Sequence, residues 1–467
     1  MLREVMSDTM SDQPGLRLLS LGKPNPRNAQ HGTNARIWPY TDLVYTKDNG
    51  GIKGLSSLYI IKEIMTRLQR EAQRNQQQGN GSQERQVMMQ YVPMPKPCDY
   101  FDIISGTGTG AICAVLLGRL RMGIEDAIRS YVTLMRNVFS DPKTMNRTTP
   151  EFKATVLETE LKKIVKGVLD DENGMMMESY RDNVQGKCEV VVYAMSAHHM
   201  NEALPISFRS YPAPTGATAN CTIWEALRAT TTHADMFKPI EIDMEGLGVE
   251  EQFVHGGLGC SNPTKHILEE ASQLYPGRVV TSIVSIGTGH PQTIQVARGK
   301  PDKVLKASLE LAEGSERVAE EMARQFKGDH RYCRLNVQQG MQEVGASEWE
   351  LMNEVVAHTR AYVIQAETSS KLETLVANLQ KSPGPYSETS GTVEIYNVSR
   401  PTPEQTTISH PHSEVPHRRL TLTPHNNLDS PNPTSSRWTK LRGLEFLRLL
   451  SDRTSVAKSS ASQPDAC

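Results

Sequence analysis

Four glycine-rich stretches hold the residues whose types and spacing could do chemistry. Asp48-Asn-Gly-Gly-Ile-Lys-Gly54 leads into a helical pattern beginning at Leu55. A glycine-rich turn entering a helix leaves backbone N–H groups free to face an anion. Gly106-Thr-Gly-Thr-Gly-Ala111 lies between a β-like run and a helical pattern. Taken literally it fits GxGxxA, the turn that cradles a dinucleotide pyrophosphate. That fingerprint needs an acid at the end of the next strand. Glu125 and Asp126 have the spacing, but Ile124–Leu134 carries a helical pattern. The same glycines fit a nucleophile elbow, in which strand, sharp turn and helix need glycine two before and two after the presented residue. Gly106 and Gly110 take those flanking places, and the presented residue is Gly108. A covalent hydrolase needs a hydroxyl or thiol there. The third stretch, Phe253-Val-His-Gly-Gly-Leu-Gly-Cys-Ser-Asn-Pro263, is rich in turns and carries one histidine, His255. The fourth, Val284-Ser-Ile-Gly-Thr-Gly289, is a strand ending in a glycine turn.

Regular elements must position these pieces. Leu16–Leu21, Tyr100–Ser105, Glu189–Ala194 and Arg278–Ile286 are apolar β-like runs, and Leu55–Leu68, Ala111–Arg121, Val304–Gln325 and Glu348–Val376 carry helical patterns. Strands alternating with helices predict an α/β layered domain with a largely parallel sheet. Only 37% of the 467 residues are apolar, so part of the chain is not core. Residues 1–15 and a Pro/Ser/Thr-rich tail over 376–467 are expected to be disordered, and 69–97 to form a Gln-rich surface loop. Within the tail, Trp438–Leu450 has apolar residues near helical spacing and predicts a short, loosely docked helix. A net charge of -2 argues against nucleic acid as a partner. No apolar run approaches the ~20 residues of a membrane span. The first twenty residues carry Arg3, Asp8 and Asp12, which predicts no signal peptide, and seven cysteines without a CxxC pair predict reduced thiols and a cytoplasmic location. His198-His199 lack ligating neighbours in sequence and are expected at the surface, so no metal site is expected.

Together the four pieces resemble the patatin-like phospholipases, lipid acyl hydrolases with a Ser-Asp dyad. The family pattern runs DGGGxRG, GxSxG, then DGG or DGA, and the pieces here keep that order. Gly54–Ile60, Ser207–Tyr211, Trp224-Glu-Ala226, Leu258–Pro263 and Ser285–Gly289 add to the agreement, which spans residues 16–375 and is closest to the large fungal-type group. The resemblance implies a patatin-like three-layer α/β domain with a central, mostly parallel sheet and a helical C-terminal portion. It implies that Gly108 stands at the nucleophile position, the serine lost, and His255 at the dyad aspartate position, the aspartate lost. Asn49, Gly50, Gly51 and Lys53 fall on the oxyanion loop, where Asn49 replaces a glycine and Lys53 an arginine. Gly106 and Gly110 fall on the elbow, and Gly256 and Gly257 on the loop of the dyad aspartate.

The expected function is therefore that of a catalytically inactive member, acting if at all by binding lipid or a partner. Phospholipid or lysophospholipid and a peripheral membrane surface are the implied partners, and no cofactor is implied. Three alternatives stand beside it: residual ester hydrolysis by water activated at His255, a decayed gene, and a dinucleotide-binding protein using Gly106, Gly108 and Ala111. Thr107 and Thr109 are expected to turn away from the site, and Cys113 to pack inward. His233, where the family has small residues, either narrows the pocket or has no role there.

One stretch breaks the family join. Leu16–Leu21 reads as the first strand, yet Asp48-Asn-Gly-Gly follows only after residues 22–47, which show no periodicity. Gly22-Lys23 can be encoded with a splice-donor sequence, so a retained intron is the expectation, and a surface insertion with Leu43-Val-Tyr-Thr46 as replacement strand is the alternative.

Overall fold

The computed structural model describes residues 16–21, 50–79, 92–142, 151–178, 188–200, 204–213, 221–290, 307 and 314–380. Residues 1–15, 22–49 and 381–467, with the expected tail helix and the replacement strand, lie outside them.

Five strands form the parallel centre of the sheet: β1 (Leu16–Leu21), β2 (Ile103–Thr107), β3 (Glu189–Ser196), β7 (Val280–Ile286) and β8 (Tyr332–Leu335). Three short strands, β4 (Ile206–Arg209), β5 (Ile240–Ile242) and β6 (Glu251–His255), complete it. The order is β5-β6-β3-β2-β1-β7-β8, with β4 also on β3. Pairing is parallel from β3 through β2, β1 and β7 to β8, and antiparallel where β4 and β6 join β3 and β5 joins β6.

Successive strand side chains go to opposite faces. Leu19, Leu21, Ile104, Val190, Val192, Val284 and Ile286 enter the larger core, while Leu16, Leu18, Ile103, Val191, Tyr193 and Ile283 enter the smaller one. Burial on both faces is why these strands are near-continuous apolar runs. The larger core is closed by α1 (Gly54–Gly79), α2 (Thr109–Ala114), α3 (Ile124–Phe139), α4 (Ala154–Leu169), α5 (Ile223–Thr231), α8 (Met352–Val363) and α9 (Ala366–Gln380). On the other face, α6 (Thr264–Leu274) and α7 (Glu316–Gln325) supply Ile267, Leu268, Ala271 and Met322. The result is three layers around a mostly parallel sheet.

Three expected elements differ. The Gln-rich stretch is helical up to Gly79, because Gln, Glu, Arg and Ala are good helix formers and simply extend α1. The expected helix over Glu348–Val376 is a 3₁₀ turn at Trp349–Leu351 followed by α8 and α9, and α9 runs on to Gln380, five residues into the expected tail. The expected helix over Ala111–Arg121 starts as α2 and continues as a π turn, Val115–Arg119.

The flanks of residues 22–49 meet at one place. A Cβ built on Gly110 would lie 2.7 Å from the Leu21 carbonyl oxygen, and one built on Gly50 would press on the Thr109 hydroxyl. The chain thus leaves β1 and re-enters at Gly50 against the same turn. Deleting residues 22–47 leaves Asp48 and Asn49 to bridge that gap. The deletion is expected to keep the fold and raise its stability by about 2 kcal/mol, since each doubling of a connection costs about 0.6 kcal/mol. Denaturant midpoints of the two chains check this. Spliced transcripts that all retain the stretch count against the intron and leave the folding expectation in place.

Candidate functional site

The centre of the site is the turn after β2. Gly108 has φ 56° and ψ -128°, a backbone that L side chains rarely adopt. Its neighbours explain the flanking glycines. A Cβ on Gly106 would overlap the Gly110 carbonyl, and one on Gly110 would crowd Leu21. Strand and helix therefore cross too closely for any side chain at 106 or 110. At Gly108 itself the space is open: the nearest atom to an added Cβ is the Thr230 carbonyl oxygen, 4.0 Å away. The Gly108 N–H donates to Thr230 Oγ1 (2.8 Å), whose hydroxyl donates to the Tyr193 carbonyl (2.5 Å). That relay ties the turn to α5 and β3.

Gly50 and Gly51 stand over the turn. The Ile52 N–H donates to the Ala346 carbonyl (2.9 Å), the Tyr131 hydroxyl donates to the Gly51 carbonyl (2.5 Å), and Gly51 takes φ 41°. Lys53 is buried within the 3₁₀ turn Gly51–Lys53, and Asn49 lies outside the described residues. His255 ends β6 opposite Ala194 of β3, and its Nδ1 accepts the Gly257 N–H (3.1 Å) as the chain turns through Gly256 and Gly257.

These pieces converge on one narrow cleft, partly open to solvent. Gly50, Gly51, Gly108, Gly110, His255 and Gly257 line it; Lys53, Gly106 and Gly256 do not. Its apolar wall is Ile112, Met135, Val138, Phe139, Leu157, Met236 and Phe237. Thr288 belongs to the fourth glycine-rich stretch, whereas Thr230 and the helix faces behind that wall carry no motif, so sequence spacing alone did not mark them. The amphipathic pattern of α3 was the one available signal.

Thr107 and Thr109 also border the cleft, contrary to expectation. Thr109 is tied down: its hydroxyl bonds the Tyr131 hydroxyl and packs on Gly50 and Gly54. Cys113 is fully buried with Sγ 3.9 Å from the Gly54 carbonyl, and burial pushes its thiol well above the ordinary range. It is no substitute nucleophile, because the thiolate is the reactive form.

His233 faces His255 across the cleft, their ring centroids 4.8 Å apart. Its Nδ1 accepts the Asp235 N–H (3.3 Å), while the Asp235 carboxylate stays 3.9 Å away. In each ring Nδ1 thus accepts a backbone N–H. The end of α5 that bears Thr230–His233 is held by buried Arg228, which bonds the Thr232 hydroxyl (2.7 Å) and the Lys238 carbonyl (2.5 Å) and pairs with Glu158 (3.2 Å). A capping box of Thr222 and Glu225 starts that helix. The arrangement sets polar side chains beside an apolar wall.

Glu125 and Asp126, the spacing candidates for a ribose acid, are exposed in the first turn of α3 and pair with Lys62 and Arg129. No strand end carries them. His198 and His199 are exposed just beyond β3, and no group of three or more His, Cys, Asp or Glu side chains is placed to hold a metal ion among the described residues.

Comparison with known proteins gives the same fold assignment. The patatin-like phospholipase family model matches residues 49–268. Phospholipase A I of Arabidopsis thaliana is 25% identical over 307 residues, covering 54% of this chain and 21% of that protein. Calcium-independent phospholipase A2-gamma of Rattus norvegicus is 26% identical over 196 residues, covering 40% of this chain and 24% of that protein. Probable inactive patatin-like protein 9 of Arabidopsis thaliana is 24% identical over 215 residues, covering 43% of this chain and 53% of that protein. The chain thus spans about a quarter or less of the two phospholipases it matches. The three-layer fold built around the β2 turn and the matched sequence agree: residues 49–268 of this chain are a patatin-like phospholipase domain.

Proposed function

We propose that this domain binds an acyl lipid in the cleft and performs no covalent acyl transfer. The observation that carries the reading is Gly108. It holds the strained apex of an elbow and points at open cleft space, yet it has no side chain to attack an ester carbonyl. In this reading Gly50 and Gly51 are the remains of an oxyanion loop, and His255 stands where the dyad carboxylate belongs. The elbow glycines are kept for packing and the reactive groups are gone. The name of one relative, a probable inactive patatin-like protein, supports it.

The lipid is held by the cleft's two chemistries. The His233 and His255 imidazoles and the Thr288 hydroxyl face the oxygen end, and Phe139, Phe237, Val138 and Leu157 take the chain. A mostly apolar lining with a few polar groups is the kind of surface that takes an acyl chain. Hydrolysis by water activated at His255 is disfavoured, because a general base needs a free lone pair. The Nδ1 lone pair already accepts the Gly257 N–H.

Titration with the fluorescent fatty acid cis-parinaric acid tests the reading. Saturable binding of one molecule per chain is expected, displaced by lysophosphatidylcholine. Thr231→Trp, which fills the cleft, is expected to weaken binding by roughly tenfold or more, the loss of about one buried side chain's contact. Absent or non-saturable binding overturns the proposal, as does binding that Thr231→Trp leaves unchanged.

A further inference from the structure

The hairpin joining β5 to β6 spans residues 243–250 and presents apolar side chains to water. Leu247 is 73% exposed and Val249 77% exposed, against near-complete burial of the other leucines in the sheet and α1. This tip is built, not loose. The Asp243 carboxylate accepts the backbone N–H groups of Glu245 (3.3 Å), Gly246 (2.8 Å), Leu247 (3.2 Å) and Gly248 (2.6 Å). Those bonds hold the carboxyl below its usual range, and Gly246 and Gly248 take φ 70° and 79° to close the turn. Two apolar side chains are thus fixed outward by a structured loop.

Strand register places the tip above the cleft. Thr107 pairs with Tyr193, so Gly108 lies level with Ala194, the residue that pairs with His255. From His255, β6 runs back past Ser196 to Glu251, and at about 3.3 Å per residue these four steps put the base of the hairpin roughly 13 Å beyond the floor of the cleft. The β3–β4 connection leaves the same end of the sheet and adds Leu204, 57% exposed, and Met200, 39% exposed. Charge selects the occupant. Glu241, Asp243, Glu245, Glu250 and Glu251 surround the tip, and no lysine or arginine occurs from 239 to 264. An anionic surface is repelled there, whereas an uncharged apolar interior beneath a zwitterionic surface accepts Leu247 and Val249 without charge cost.

We propose that the 243–250 hairpin, with Leu204 and Met200 beside it, docks the domain on a zwitterionic phospholipid surface and brings the mouth of the cleft to the lipid. This rests on the acyl-binding reading of the cleft for its purpose, but not for its measurement.

The test is co-sedimentation of the full chain with phosphatidylcholine vesicles, and with vesicles part-substituted by phosphatidylserine. The unsubstituted chain is expected to bind phosphatidylcholine. Phosphatidylserine is expected to reduce binding, and added salt to restore it. Leu247→Ser/Val249→Ser is expected to lower binding by roughly tenfold or more while leaving cis-parinaric acid binding unchanged, since neither residue lines the cleft. Failure of the unsubstituted chain to sediment, preference for phosphatidylserine, or equal sedimentation of the double variant overturns the proposal. So does loss of self-association by the double variant, in ultracentrifugation without vesicles, when neither chain binds vesicles; the tip is then a contact between copies. Vesicle binding without cis-parinaric acid binding leaves the docking inference standing and removes the cleft reading instead.

Discussion

The double variant Gly108→Ser/His255→Asp is expected to hydrolyse aryl esters and lysophospholipids at least about 10³-fold faster than the unsubstituted chain, because loss of a hydrolase nucleophile costs on the order of 10⁶ and the restored site is only partly adapted. Each replacement meets a place ready for it. A Cβ at 108 has no atom nearer than 4.0 Å, so the hydroxyl of the introduced serine would project into the cleft beside Gly50 and Gly51 without a clash; its cost is conformational, at φ 56°. At 255, an aspartate carboxylate can accept the Gly257 N–H that Nδ1 of the imidazole now accepts. Either single variant supplies a nucleophile without its base or a base without its nucleophile, and both are expected to stay near the level of the unsubstituted chain. Initial rates on a short-chain aryl ester check this. A folded, silent double variant would mean that the Gly50–Gly51 loop no longer stabilises an oxyanion, and the cleft would be a binding site with no hydrolase geometry left.

The second large effect concerns stability and separates the three glycines of the elbow. Gly106→Ala is expected to destabilise the fold by about 4 kcal/mol or more, at the extreme of single substitutions. The reason is steric: its Cβ would overlap the backbone of Gly110 and Ala111, and neither strand β2 nor the start of α2 can move without dragging the sheet. Gly108→Ala has no such neighbour and is expected to cost only about 1–3 kcal/mol, the penalty of a strained backbone. Urea midpoints of the two variants give the comparison. If Gly108→Ala costs as much as Gly106→Ala, the turn is not the open apex described, and the double variant above should fail with it.

Much of this fold was legible in the chain. β1, β2, β3 and β7 are apolar runs because both faces of the sheet are covered, and Gly106–Ala111 announced a strand–turn–helix by its glycine spacing. What escaped was short or unpunctuated. β4, β5 and β6 have three to five residues each and form through pairing with β3 and with each other, not through any local pattern. The break between α8 and α9 at Ile364–Gln365 carries neither glycine nor proline. At the site, Gly108 and His255 stood out by position in a motif. The convergence of His233 on His255 and the tie from Gly108 to Thr230 could not be read there, because α5 meets the turn only through the packed core. The outward turn expected of Thr107 and Thr109 rested on elbow geometry alone and left out the packing of Gly50 and Gly54 against Thr109.

The measurement that bears most directly on the central claim is the intact mass of the unsubstituted chain after incubation with a serine-reactive fluorophosphonate. With a glycine at 108, a buried Cys113 and only unactivated threonine hydroxyls in the cleft, the mass is expected not to change, while the Gly108→Ser/His255→Asp variant gains one adduct located at residue 108. An adduct on the unsubstituted chain, mapped to any residue lining the cleft, would contradict the account.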